Sequence, residues 1–109
     1  MINRGKIKEM LGCDDEFLDK LFEQFIIECT ESIQKINDAY LNKNWQLIRG
    51  AAHKMLSSSR ILMLNKLTTL LKEIEILAEN RINLEKIPLL LEQLNIEIQL
   101  IFEELKGIK

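Results

Sequence analysis

Apolar residues recur at three- and four-residue steps through four successive stretches of this chain, and that period narrows the possible folds more than any other feature. The first stretch carries Leu18, Leu21, Phe22, Phe25, Cys29, Ile33, Ile36 and Tyr40. The second carries Trp45, Ile48, Ala51, Ala52, Met55, Ser59 and Leu62, and the third Leu67, Leu70, Leu71, Ile74, Leu77 and Ala78. Leu91, Leu94, Ile98, Ile101 and Leu105 keep the same spacing near the end. Such stripes mark amphipathic helices. Of the signals of strands, sustained alternation and Asn-Gly or Asp-Gly turns do not occur, and β-branched clusters are few.

The breaks between stripes carry helix punctuation. Gly12 is placed to end a short first helix, and an aspartate of the pair Asp14 and Asp15 to cap the next. Asn42-Lys43-Asn44 interrupts the pattern, with Asn44 as an N-cap, and Glu79-Asn80-Arg81 interrupts it again. Pro88 lacks an amide hydrogen and belongs in a first turn, so the last helix is expected to start nearer Glu85 than Asn83. Four amphipathic helices with short connections bury their stripes only against one another. The expected fold is all-α: an antiparallel up-down-up-down four-helix bundle with a short extra N-terminal helix. The last helix also has Leu89, Ile96, Leu100 and Phe102 off its main stripe. Two readings stay open for them: a wide core face covered by Ile7, Met10 and Leu11 of the N-terminal helix, or an apolar docking surface.

A chain of 109 residues fits a single domain, 1–109, with no room for an ATP-binding kinase domain. Hydrophobic residues at 47% and charged ones at 29% suit a compact helical protein rather than a disordered one. The formal charge of −2 offers no basic footprint, so nucleic acid is not an expected partner. No apolar run approaches the ~20 residues of a membrane span and no signal peptide is evident, so no membrane association and a cytoplasmic location are expected. Cys13 and Cys29 have no metal-type spacing and read as reduced thiols.

His53 is the only histidine, and it lies within the third helical pattern. At about 100° per residue it falls roughly 150° from the centre of that helix's apolar stripe, on the solvent side with Gln46, Arg49, Gly50, Ser57 and Arg60. Gly50 at i−3 and Ser57 at i+4 stack beside it, so the imidazole stands clear of small neighbours where another protein can approach. Glycine inside a helix costs up to ~1 kcal/mol relative to alanine, which suggests a steric reason for Gly50.

An exposed imidazole can carry a proton, bind a metal or accept a phosphoryl group. Metal binding needs several ligands, and the bundle-type Glu-x-x-His pattern would require an acid where Gly50 stands, so no metal site is expected. Ser57, Ser58 and Ser59 lie near the histidine without an oxyanion loop, which disfavours hydrolysis. Phosphoryl acceptance asks only for a free ring nitrogen on this side, since acid groups and metal can belong to the donor. No Gly-rich phosphate loop is present, so the group has to come from another protein.

The segment Ala52-His53-Lys54-Met55-Leu56-Ser57-Ser58-Ser59 resembles the phosphoacceptor segment H-x-L-K-G-S-S of histidine phosphotransfer (HPt) domains. Met10 to Leu18 followed by Leu21-Phe22-Glu23-Gln24-Phe25 is similar to that family's entry into its first long helix. Asn44-Trp45-Gln46-Leu47-Ile48 resembles the start of its histidine helix, and Leu67 to Glu75 the helix after it. The resemblance implies a phosphorelay intermediate that neither binds ATP nor phosphorylates itself, a phosphoryl carrier rather than a turnover enzyme. His53 would take a phosphoryl group from the aspartate of one response-regulator receiver domain and pass it to another. Sensor or hybrid histidine kinases belong to the same pathways. It implies no resident cofactor, with a magnesium ion on the partner receiver, and a monomer is expected. Glu75 falls where the family often has a polar residue that orients the imidazole through Nδ1.

Two positions depart from the pattern: Leu56 replaces the family's lysine and Ser57 its glycine. The lost cation has candidate substitutes in Arg49, Lys54 and Arg60, and Leu56 is expected at the border of the face as an apolar contact for a docked receiver. The departures keep open an HPt-like module that docks receivers without transferring phosphate. A sensor-kinase dimerisation helix fits worse, because Lys54 stands where those kinases have an acid and no proline is near. A purely structural bundle is not excluded by periodicity.

Overall fold

The computed structural model describes residues 2–107. Helix α1 spans Arg4–Leu11, α2 Asp15–Leu41, α3 Trp45–Ile61, α4 Asn65–Asn80 and α5 Ile87–Leu105, with a 3₁₀ turn at Leu84–Lys86. Among the described residues there is no strand. Helix α3 packs against α2 and α4, and α5 closes the ring against α4 and α2, so the four long helices form the expected up-down-up-down bundle.

The starts of α1, α2 and α3 are each set by a side chain that accepts from an otherwise unpaired backbone amide. Asn3 accepts from the Lys6 amide at 3.0 Å, Asp14 from Phe17 at 2.9 Å and Asn44 from Leu47 at 3.2 Å. Gly12 ends α1 in the left-handed conformation, φ 64°, which favours a residue without Cβ. The connections at residues 42–44 and 62–64 share one design. Their middle residues, Lys43 and Met63, are left-handed at φ 56° and 57°. The third amide of each reaches back into the preceding helix, Asn44 to the Ala39 carbonyl at 2.8 Å and Leu64 to Ser59 at 2.9 Å. Connections this short leave consecutive helices no choice but to lie antiparallel.

At 27 residues, α2 is about 40 Å long and outruns its partners. Helix α1 folds back on its start: Arg4 pairs with Asp15 at 3.1 Å and Asp19 at 2.7 Å, and Lys8 with Asp15 at 3.1 Å. Lys8 and then Arg4 hold the Asp15 carboxyl below its usual value. Only Ile7 of α1 enters the core; Met10 and Leu11 are exposed. This corrects the reading in which α1 covers the second apolar face of α5. Leu89, Ile96 and Leu100 remain open to solvent, and Phe102 is half-buried under the Lys106 ammonium, 4.2 Å from the ring centre. The physical reason is that α1's charges bind the acids at the start of α2, while the N-terminal segment meets α5 near its far end, where the Ile2 amide donates to Glu104 Oε2 at 3.0 Å.

The regular part of α5 begins at Ile87, after the 3₁₀ turn that contains Glu85, with Pro88 in the first turn. One core position was not anticipated. Glu97 lies on the α5 stripe between Leu94 and Ile101 and is only 3% exposed, its carboxylate 3.6 Å from the Lys66 ammonium. It faces the first turn of α4, whose cap residue Leu64 offers no side-chain hydrogen bond, so the anion meets the positive end of that helix. An acid at a stripe position was the available signal.

Truncating a core residue tests this packing. Leu67→Ala should cost about 2–5 kcal/mol by denaturant unfolding, whereas the exposed Leu89→Ala should stay within about 0.5 kcal/mol. Asn44→Ala, which strips the cap from α3, should cost about 1 kcal/mol. Cys29 is fully buried, and burial, with Glu28 adding to the effect, pushes its thiol up to about 12. In the native protein a thiol reagent should therefore label half-buried Cys13 first and Cys29 only at the rate of unfolding.

Candidate functional site

Helices α3 and α4 run antiparallel in a fixed register, and a ladder of polar contacts links them, running from the solvent side at Arg49 and His53 into the interior at Ser59. Arg49 Nε donates to Glu79 Oε1 at 3.3 Å, and one turn further along α3, His53 Nδ1 meets Glu75 Oε2 at 2.5 Å. Two turns beyond, buried Ser59 shares a 2.8 Å hydrogen bond with Thr68, whose hydroxyl also donates to the Leu64 carbonyl at 2.9 Å. The step from Arg49 to His53 on α3 is matched by the step from Glu79 back to Glu75 on α4, and the longer step on to Ser59 by the longer step back to Thr68, as two antiparallel helices of equal pitch require.

The His53–Glu75 rung is asymmetric in its exposure. The histidine side chain is 60% exposed and the glutamate side chain 15%. A carboxylate only accepts, so the imidazole proton it receives is on Nδ1. Nε2 then keeps its lone pair and lies on the opposite side of the ring from the contact.

Around this ring the sequence-chosen residues separate. Gly50 and Ser57 are both exposed on either side of it, and the Ser57 hydroxyl donates to the His53 carbonyl at 3.4 Å. A Cβ built at Gly50 meets nothing within 4 Å, so no packing inside the protein accounts for a glycine there. Lys54 points toward α2, where it shares an open groove of about 460 Å³ with Gly50, Leu47, Ser32 and Lys35. Arg49 is engaged by Glu79. Arg60 lies seven residues on, roughly 10 Å along the axis, at a second depression of about 590 Å³ with Thr68, Lys72 and Ile76.

Leu56 overturns an expectation. It is 2% exposed and belongs to the core, so it is no apolar contact for a docked partner. On the wheel it borders the histidine face, but α4 lies across that border and covers it. The sequence reading also passed over Glu79 and Lys72, both on α4. Their signal was the three- and four-residue spacing to Glu75, which gains meaning only once α4 is known to flank α3 on this side.

Among the described residues no three His, Cys, Asp or Glu side chains gather as metal ligands, and no helix is long and apolar enough to cross a membrane. Of the solved structures, the chain is similar to the histidine-containing phosphotransfer protein B (HptB) from Pseudomonas aeruginosa PAO1. The match has a TM-score of 0.86 at 21% identity and covers 97% of this chain and 91% of that one, which establishes the shared fold. No curated protein sequence matches. The family model described as Hpt domain matches residues 20–106, from the second turn of α2 to the end of α5 and across the whole histidine helix. A bundle of this fold with a solvent-facing histidine on its central hairpin, matched over most of its length, belongs to the Hpt domain family of phosphorelay signalling.

Proposed function

We propose that the chain is a phosphorelay intermediate that accepts a phosphoryl group on Nε2 of His53 from a receiver-domain aspartate and passes it to a second receiver. The observation that carries this reading is the 2.5 Å contact from Nδ1 to Glu75 beneath an exposed ring. It holds the proton on Nδ1 and leaves Nε2 as the nucleophile.

In the transfer, the Nε2 lone pair forms the bond to phosphorus as the P–O bond to the donor aspartate breaks, and the electron pair leaves with the carboxylate. Positive charge develops on the imidazole and is offset by Glu75 through the Nδ1 proton. Return to a second aspartate reverses these steps. Acid groups and the magnesium ion that handle the carboxylate belong to the receiver, so this side supplies an oriented ring and an accessible surface. Gly50, Ser57 and the groove beside Lys54 give a receiver room to bring its aspartate onto the ring, with Arg49 and Arg60 at the margins.

A receiver radiolabelled on its aspartate should transfer acid-labile, base-stable label to the wild type and none to His53→Gln. Receivers that bind without ever passing label would establish docking alone. Glu75→Ala should slow transfer about 10-fold or more while the bundle stays folded, and an unchanged rate would remove Glu75 from the mechanism. Gly50→Ala should stabilise the protein by up to about 1 kcal/mol, since the added methyl meets nothing. Gly50→Trp and Ser57→Trp should fold yet lose receiver binding; normal transfer in both would put the docking face elsewhere.

A further inference from the structure

A phosphoryl group on Nε2 adds about two negative charges beside a site that already holds two carboxylates, Glu75 and Glu79, against one guanidinium, Arg49. The position one turn after the histidine on its own helix offers no cation, because Leu56 is buried. Of the cations on α3, Arg49 is paired with Glu79, Lys54 faces the groove toward α2, and Arg60 is two turns away. The countercharge has to come from another helix.

Helix α4 has one in register. Thr68, Glu75 and Glu79 each bond across to α3, and Lys72 lies between them at the same three- and four-residue spacing. It is three residues before Glu75, about 4.5 Å along the axis, at the height of Leu56 and Ser57. Lys72 is exposed, and no ion pair to it is found among the described residues. Its side chain lines the depression it shares with Arg60 and Thr68, and a four-carbon stem is long enough to swing from there to the outer side of an imidazole one turn away.

We propose that Lys72 binds the phosphoryl oxygens carried on Nε2 of His53, supplying from α4 the positive charge that α3 lacks at position 56. This rests on the phosphotransfer reading above. Its ammonium favours the doubly charged phosphoryl group over the singly charged one, and offsets the repulsion from Glu75.

Phosphoramidate isolates this effect from receiver docking. Nε2 attacks its phosphorus, the P–N bond breaks, and the leaving nitrogen takes up a proton and departs as ammonia. Phosphohistidine is then followed by ³¹P NMR in wild type, Lys72→Ala, Lys72→Arg and, as a control of equal charge change far along α2, Lys20→Ala. Lys72→Ala should load about 3–5-fold more slowly, and the second ionisation of its phosphoryl group should move up by about half a pH unit. Lys72→Arg should restore both, and Lys20→Ala should match the wild type. The ionisation reports charge at the phosphoryl group, which a packing defect in an exposed side chain does not move. A wild type that loads on His53 with Lys72→Ala indistinguishable from it overturns the role of Lys72 alone. A wild type that takes no phosphate on His53 overturns this inference together with the phosphotransfer reading.

Discussion

The antiparallel register of α3 against α4 is the constraint on which the rest of the site depends. It is fixed twice, by the short left-handed connection at residues 62–64 and by the burial of Met55, Leu56, Leu67, Leu71 and Ile74 between the helices. A shift of one residue would rotate the facing side chains by about 100° and move them about 1.5 Å along the axis. Arg49, His53 and Ser59 would then lose Glu79, Glu75 and Thr68 together. The core therefore does chemical work at a distance, because a ring oriented by one hydrogen bond needs its acceptor held in place by packing.

The same geometry explains an apparent deficiency in the histidine helix. Read along α3 alone, the turn after His53 has lost its cation, since Leu56 is apolar. In the folded protein that position lies under α4, where a leucine contributes to the core and a charge would be costly to bury. The surface at that height belongs partly to α4, where Lys72 is exposed. Charge at a helical interface is a property of the pair of helices, so a substitution on one is to be judged with the residues that the other brings alongside.

Glu97 shows packing and charge meeting away from the site. An acid on a core stripe would ordinarily be expensive to bury. Here it meets the Lys66 ammonium and the first turn of α4, a helix whose cap residue has no side-chain acceptor. The carboxylate thus complements the starting end of the helix that carries Glu75 and Lys72, and so ties α5 to the element that completes the histidine site.

The sequence by itself determined the bundle, because 3.6-residue periodicity and short capped connections depend only on local geometry and on which residues avoid water. It also determined that His53 points outward, since one stripe fixes the direction of every side chain on its helix, and it matched Glu75 to the imidazole through the family resemblance. Only the tertiary structure decided the rest. Which helix lies across the border of a stripe depends on how four cylinders pack, and a single helical wheel does not contain that information. This is why Leu56 proved buried, why Arg49 is paired with Glu79, why α1 leaves Leu89, Ile96 and Leu100 open, and why Lys72 stands at the height of Leu56.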